Sequence, residues 1–204
     1  MDARVISIQR RFVHPKLRFL FKVPEGFQLF NNPTSVISKG PQRSLIKFDL
    51  AKKPFRSPIT KYISDVWAKN INISQVKELN VNNMAAATAK ARVNYLSGTF
   101  DLRLTAIKYN NSRIYRFIFL TPTNLTDSLE QNLTQTIYSL RNLSVTEAKN
   151  FRPYRLSIKA VHTGDSVKKF AKLMSINKFK EETFRVLNGL TTYEKLRKGR
   201  LVKI

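Results

Sequence analysis

Two short segments near the C-terminal end carry the most specific arrangement of chemically useful residues in the sequence. In the first, Thr163–Val167, an aspartate and a serine stand at the start of a stretch with helical apolar spacing. Their side-chain oxygens can accept hydrogen bonds from the free backbone N–H groups of a helix start. In the second, Leu187–Leu190, a glycine follows another helical stretch and suits a left-handed helix end. The spacing therefore predicts two tight turns, each beside a helix terminus.

Residue types that build common catalytic and metal sites are scarce. The 204 residues include no cysteine and only two histidines, His14 and His162, neither within an HExxH or HxH pattern. Disulfides, thiolate sites and zinc held by paired imidazoles are therefore not expected. Phosphate-binding glycine loops and the GxSxG nucleophile motif are missing as well. We expect no catalytic residues, no metal and no cofactor.

The remaining candidates are single residues without an obvious partner. The carboxylates Asp49, Asp101 and Asp165 fall on different predicted elements, so no acid/base pair is expected. His14, before a proline at a strand start, is predicted to be a structural or surface histidine. His162 lies beside the first turn, where lining a groove and facing solvent are both open.

The elements that would position these residues follow from hydrophobic periodicity. Residues 1–150 predict an α+β domain, with one antiparallel sheet and its helices packed on one face. Its strands are expected at 17–23, 35–38, 44–50, 75–81, 85–95, 99–109 and 113–121, and its helices at 58–70, 126–141 and from Ser144 toward Phe151. Ser144 and Glu147 fit a capping box at the start of the last helix.

The character of the sequence changes at Arg152-Pro153, and residues 151–204 predict a separate small βααβ unit. Its strands are expected at 155–161 and 200–204, and its helices at 166–175 and 180–188. The two turns described first then lie at the start of the first helix and at the end of the second.

This unit resembles a LysM module in the order and spacing of its motifs. The matching segments are Thr163–Val167, Phe170-Ala171, Leu187–Leu190 and Lys198–Ile204. The chain departs from the family pattern at Ser166, where threonine is usual, and at Lys198–Arg200, where Pro-Gly-Gln is usual.

LysM modules bind glycans that contain N-acetylglucosamine, in a shallow groove between the two turns. The resemblance implies these ligand-binding residues: Gly164, Asp165, Ser166, Val167, Asn188, Gly189 and Leu190. It also implies peptidoglycan or a related glycan as partner. The same residues fit a purely structural role as well, in which they only shape turns and helix ends.

A wider resemblance covers nearly the whole chain. Phe12–Leu17, Phe21–Phe27, Ala85–Ala89 and Arg113–Pro122 are similar to the region after the catalytic domain of bacterial periplasmic zinc metallopeptidases of the HtpX/BepA kind, which also end in a LysM-like unit. The HExxH helix of that family is missing. The resemblance therefore implies a non-catalytic accessory region, which could partner a separately encoded metallopeptidase domain.

The charge leaves a second class of function open. The net charge is +24 and the pI about 10.6, with 14 basic and 4 acidic residues in 151–204 alone. Such an excess favours polyanions. Aromatic and basic residues alternate in Arg113–Phe117, as in sheets that stack nucleic-acid bases. A nucleic-acid-binding protein is therefore the alternative, although no RNP-type motif, helix-turn-helix or zinc finger supports it.

Location depends on whether the chain is complete. The sequence contains no apolar run of the ~20 residues that a membrane span needs, and its start lacks the pattern of a secretory signal. A complete gene product of this sequence is expected in the cytoplasm. The C-terminal part of a longer exported protein is expected in the periplasm or cell envelope.

Overall fold

The computed structural model describes residues 6–8 (backbone alone), 10–51, 55–96, 98–151, 156–176 and 178–204. The chain divides into two compact units, Met1–Arg152 and Pro153–Ile204. The boundary expected from the sequence lies between residues 150 and 151. Each unit is described separately below.

Eleven strands form two antiparallel sheets within the described part of the larger unit. In chain order they are β1 (Ile6–Ile8), β2 (Arg11–His14), β3 (Phe19–Lys22), β4 (Gln28–Asn31), β5 (Ser35–Lys39), β6 (Leu45–Ala51), β7 (Lys77–Val81), β8 (Met84–Tyr95), β9 (Gly98–Asn110), β10 (Arg113–Pro122) and β11 (Arg141–Asn142). The larger sheet has the order β4-β5-β6-β10-β9-β8-β7, and the smaller one β1-β2-β3-β11. The expected meander of strands is confirmed over β7–β10.

Three helical segments accompany these sheets. They are α1 (Ile59–Lys61), which continues as a π-helix over Tyr62–Trp67, α2 (Thr126–Ser139) and α3 (Val145–Asn150). At the start of α3, the backbone N–H of Glu147 donates to Ser144 Oγ, and the backbone N–H of Ser144 donates to the Glu147 carboxylate. The capping box predicted from the sequence is therefore confirmed.

The helices lie on both faces of the larger sheet, and the expectation that they share one face is wrong. Strand side chains alternate between faces. On β10, Phe117 and Phe119 join a buried cluster with Leu133 of α2, whereas Ile114 joins a cluster with Ile63 of the π-helix on the opposite face. Each amphipathic helix thus covers the apolar side chains of one face.

The main core lies between the two sheets, and aromatic side chains fill most of it. Phe12 and Phe21 of the smaller sheet pack against Phe48 and Phe117 of the larger one, with ring centroids 4.7–6.5 Å apart. All four rings are almost completely buried. Burial of each contributes on the order of 2–3 kcal/mol, so this contact holds the smaller sheet and the larger sheet together.

The smaller unit has the order β12 (Ile158–Ala160), α4 (Val167–Leu173), α5 (Lys180–Leu187) and β13 (Leu201–Lys203). This agrees with the elements predicted over 155–204. The two strands pair antiparallel, with Ile158 opposite Lys203 and Ala160 opposite Leu201. The unit has a core of its own, formed by Val161, Val167, Phe170, Ala171, Met174, Phe184, Leu190 and Val202.

Candidate functional site

Hydrogen bonds of the Asp165 backbone and side chain stabilise the turn between β12 and α4. Its backbone N–H donates to the His162 carbonyl (3.1 Å), and its carboxylate accepts from the His162 N–H (2.8 Å) and from Lys169 Nζ (2.7 Å). The hydrogen bond from Lys169, followed by that from the His162 N–H, lowers the pKa of Asp165. Gly164 lies in the left-handed region, with φ at +85°.

Ser166 completes this turn by capping α4, since its Oγ accepts the backbone N–H of Lys169 (3.2 Å). The prediction for Ser166 is confirmed. The prediction that the Asp165 side chain accepts a backbone N–H of the helix start is wrong, because its carboxylate accepts the backbone N–H of His162, which precedes the helix, and the side chain of Lys169.

The turn after α5 is tied to β13 by Asn188. The Asn188 Nδ2 donates to the carbonyls of Phe184 and Lys203 (2.9 Å each), and Oδ1 accepts the Lys203 backbone N–H (2.7 Å). Arg200 donates to the Asn188 carbonyl (2.7 Å). Gly189 follows with φ at +60°, the left-handed conformation that the sequence predicted.

Both turns rest on the core of the smaller unit. Val167 and Leu190 belong to that core and are only 7% and 8% exposed. Among the described residues, no hydrogen bond joins the 164–167 turn to the 188–190 turn. An apolar contact from these two side chains to a sugar methyl group therefore has little surface available.

Backbone groups are what the two turns leave accessible. A Cβ added to Gly164 or Gly189 would meet no heavy atom within 4 Å, so both glycines face open space. Thr163 beside Gly164 is exposed as well. A ligand can approach the backbone closely at both positions.

The surroundings of the second turn are basic. Lys195, Arg197 and Lys198 are exposed, and Arg200 pairs with Glu194 (3.0 Å). These residues follow the Asn188–Leu190 turn along the chain, so an anionic group on a ligand would be favoured there.

The larger unit contains a partly buried ion pair that the sequence did not reveal. Arg116 of β10 donates from Nε and Nη2 to the two carboxylate oxygens of Asp49 on β6, at 2.6 and 2.9 Å. Its guanidinium lies 5.1 Å from the centre of the Trp67 ring and 3.4 Å from the Tyr62 hydroxyl. Burial alone would lower the pKa of Arg116, but the hydrogen bonds and charge of Asp49 raise it above its usual value. The contacts of Arg116 with Tyr62 and Trp67 hold the π-helix against the sheet.

A cleft of about 390 Å³ lies on the face of the larger sheet that α2 covers. Nη1 of Arg103 donates to Glu130 (3.3 Å) and to Thr134 (2.8 Å) on α2, while Lys90 donates to the same Glu130 oxygen (3.1 Å). Burial lowers the pKa of Arg103. These polar contacts supplement the apolar packing of Leu129, Leu133 and Ile137, which docks α2 on the sheet.

The two histidines contribute to local structure. His14 is buried, stacks on Phe19 at 5.5 Å and accepts the Leu17 N–H at Nδ1, so its predicted structural role is confirmed. His162 is exposed and contributes its backbone to the first turn.

Within the described residues, no cluster of three or more His, Cys, Asp or Glu side chains could hold a metal ion. No helix among them is long and apolar enough to cross a membrane.

Known proteins resemble this chain only at the level of structure. No protein-family model and no curated protein sequence matches it. A Bacteroides thetaiotaomicron protein matches with a TM-score of 0.50 and 12% identity over 76% of this chain and 54% of that one, so the chain spans about half of its length. LpqN of Mycobacterium tuberculosis, described as involved in cell envelope biogenesis, matches with a TM-score of 0.50 and 10% identity over 62% of this chain and 83% of LpqN.

The cyanobacterial PsbP protein of Synechocystis matches with a TM-score of 0.48 and 11% identity, over 70% of this chain and 94% of that one. At these identities the similarity shows the fold alone.

Proposed function

We propose that the protein is a non-catalytic accessory protein whose smaller unit is a LysM-like module that binds peptidoglycan-type glycans. The observation that carries this proposal is the pair of open glycine turns. Gly164 and Gly189 both present unobstructed backbone at the ends of helices that share one core. The sequence motifs at both positions resemble the LysM pattern, with Ser166 where threonine is usual.

Backbone groups would make the principal contacts. The carbonyl and N–H groups of the two turns hydrogen-bond the N-acetyl and hydroxyl groups of the sugar. The hydrogen bond that the Asp165 carboxylate accepts from the His162 N–H and the one that Asn188 donates to the Lys203 carbonyl fix the turns before the ligand arrives, which lowers the entropy cost of binding. Asp165 and Asn188 therefore act as positioning residues, while Gly164, Ser166, Gly189 and Leu190 contribute backbone.

The larger unit then serves as the scaffold that presents this module in a bacterial cell envelope. Its partly buried arginines are paired with carboxylates of the same unit. The two faces of its larger sheet are covered by helices and by the smaller sheet. We propose a separately encoded metallopeptidase domain as its protein partner.

Sedimentation with insoluble peptidoglycan at two salt concentrations tests the proposed function. We expect the intact chain still to co-sediment at the higher concentration, because hydrogen bonds to the N-acetyl and hydroxyl groups of the sugar depend little on ionic strength. Thr163→Glu places a bulky charge beside the first turn and should abolish sedimentation. Ser175→Glu, which introduces the same charge at an exposed residue between α4 and α5, should leave it unchanged.

Nucleic-acid binding is the competing function, favoured by the net charge of +24. A complex with several phosphate contacts weakens by roughly 10³-fold or more between 50 and 200 mM salt. Steeply salt-dependent binding of a mixed-sequence oligonucleotide, without sedimentation on peptidoglycan, would contradict the glycan proposal.

A further inference from the structure

The two-stranded sheet of the smaller unit exposes large aliphatic side chains on the face turned away from the core. Val202 of β13 is completely buried in the core, so its neighbours Leu201 and Lys203 point to the opposite side. The register places Ile158 beside Lys203 on that side. Ile158 and Leu201 are 65% and 66% exposed. We call Ile158, Leu201 and Lys203 the outer face.

An apolar groove lies at the end of the same sheet. It encloses about 270 Å³, and its apolar lining consists of Leu156, Leu173, Met174, Ile176, Leu187 and Ile204. Leu156 and Leu173 are 64% and 55% exposed. The groove adjoins the pairing of Ser157 with Ile204, whose backbone groups exchange hydrogen bonds of 3.0 and 2.9 Å.

Lysines accompany this apolar surface. Lys203 belongs to the outer face, and Lys180 lies at the groove, where its Nζ donates to the Met174 carbonyl (2.9 Å). Two of the four carboxylates in 151–204, Asp165 and Glu194, are already paired with Lys169 and Arg200. With 14 basic and 4 acidic residues, the range 151–204 as a whole has a large positive excess.

We propose that the outer face and the groove dock on the surface of an anionic lipid bilayer. Exposed aliphatic side chains enter the boundary between headgroups and acyl chains, and lysines contact the lipid phosphates. The positive charge and the side-chain types of this surface favour a lipid bilayer over a second copy of the chain or a nucleic acid. A second copy would bring two strongly positive units together, and base stacking uses aromatic or arginine side chains, whereas this face offers isoleucine, leucine and lysine.

Vesicle sedimentation tests the proposal with the intact chain. Vesicles of phosphatidylcholine containing about a third phosphatidylglycerol should bind at least about tenfold more tightly than phosphatidylcholine alone. The double variant Ile158→Ser, Leu201→Ser should bind the anionic vesicles at least about tenfold more weakly. Val186→Ser, which removes an aliphatic side chain that is 83% exposed on α5, is the matched control and should bind normally.

A second pair of variants tests the contribution of the lysine charge to vesicle binding. Lys203→Gln should weaken binding by about fivefold, whereas Lys61→Gln, the same change on the exposed surface of α1, should have little effect. Equal binding to neutral and anionic vesicles would overturn the proposal. So would an equal loss in Val186→Ser, or binding of an oligonucleotide but not of vesicles. Because the glycan turns are left intact, peptidoglycan sedimentation by the double variant reports separately on the proposed function.

Discussion

Asn188 is expected to hold the smaller unit together, and replacing it tests this directly. Asn188→Ala removes three side-chain hydrogen bonds, two of which join the end of α5 to Lys203 of β13 while the third caps α5 at the Phe184 carbonyl. Each such bond contributes about 0.5–1.5 kcal/mol net, so the expected loss is about 2–4 kcal/mol. A unit the size of residues 153–204 has a total free energy of unfolding of about 3–8 kcal/mol. The variant should therefore lose about half of that stability.

Urea unfolding with two probes separates the units. The fluorescence of Trp67, the only tryptophan, reports the larger unit, and the NMR amide signals of Gly189 and Gly199 report the smaller one. We expect Asn188→Ala to lower the midpoint of the glycine signals and to leave that of Trp67 unchanged. Asn188→Asp, which keeps the acceptor for the Lys203 N–H but loses both donated bonds, should fall between wild type and Asn188→Ala.

Asn124→Ala is the matched control, since it removes one exposed hydrogen bond, to Gln42, in the larger unit. Unchanged glycine midpoints in Asn188→Ala would refute the reasoning, as would an equal loss at both probes. If the expected result holds, weak glycan binding by Asn188→Ala reflects unfolding, and exposed positions such as Thr163 must test the binding surface.

Three further predictions concern the larger unit. Gly40→Ala should cost about 1–3 kcal/mol, because its new Cβ would overlap the Phe27 ring, and adding Phe27→Leu should restore part of the lost melting temperature. The Arg92 hydrogen bond lowers the pKa of Asp101, so its stabilisation is present above about pH 4 and is lost as pH falls through the lowered folded value; thermal melts of Asp101→Asn should lack part of this acid destabilisation. Asp49→Ala leaves a partly buried guanidinium without its carboxylate and should cost about 3 kcal/mol in urea unfolding.

Local signals in the sequence were sufficient for most elements. The capping box of Ser144 and Glu147 and the left-handed Gly189 depend on neighbours within a few positions. Strand β2, Arg11–His14, was not predicted, because three consecutive buried residues in so short a segment show no alternation. The apolar stripe of Ile59–Trp67 indicated that this segment packs on the sheet, but periodicity cannot say which face it covers.

The candidate site shows the same division between local and distant contacts. The turn at Gly164 and the cap at Ser166 were predictable, since their partners lie within a few residues. The role of Asn188 was not, because its partner Lys203 is 15 positions away. The pairing of Arg116 with Asp49, 67 positions apart, depends on the strand order, which hydrophobic patterns do not specify.

The most direct test of the central claim is an NMR titration of the intact, ¹⁵N-labelled chain with an N-acetylglucosamine oligosaccharide. Binding between the two turns should shift the amide signals of Gly164, Asp165, Ser166, Gly189 and Leu190 in a saturable manner. The amide signals of Gly26 and Gly98, which also have open space at Cα but lie in the larger unit, should stay in place. Absence of shifts at both turns, or shifts confined to the larger unit, would contradict the proposed glycan-binding function.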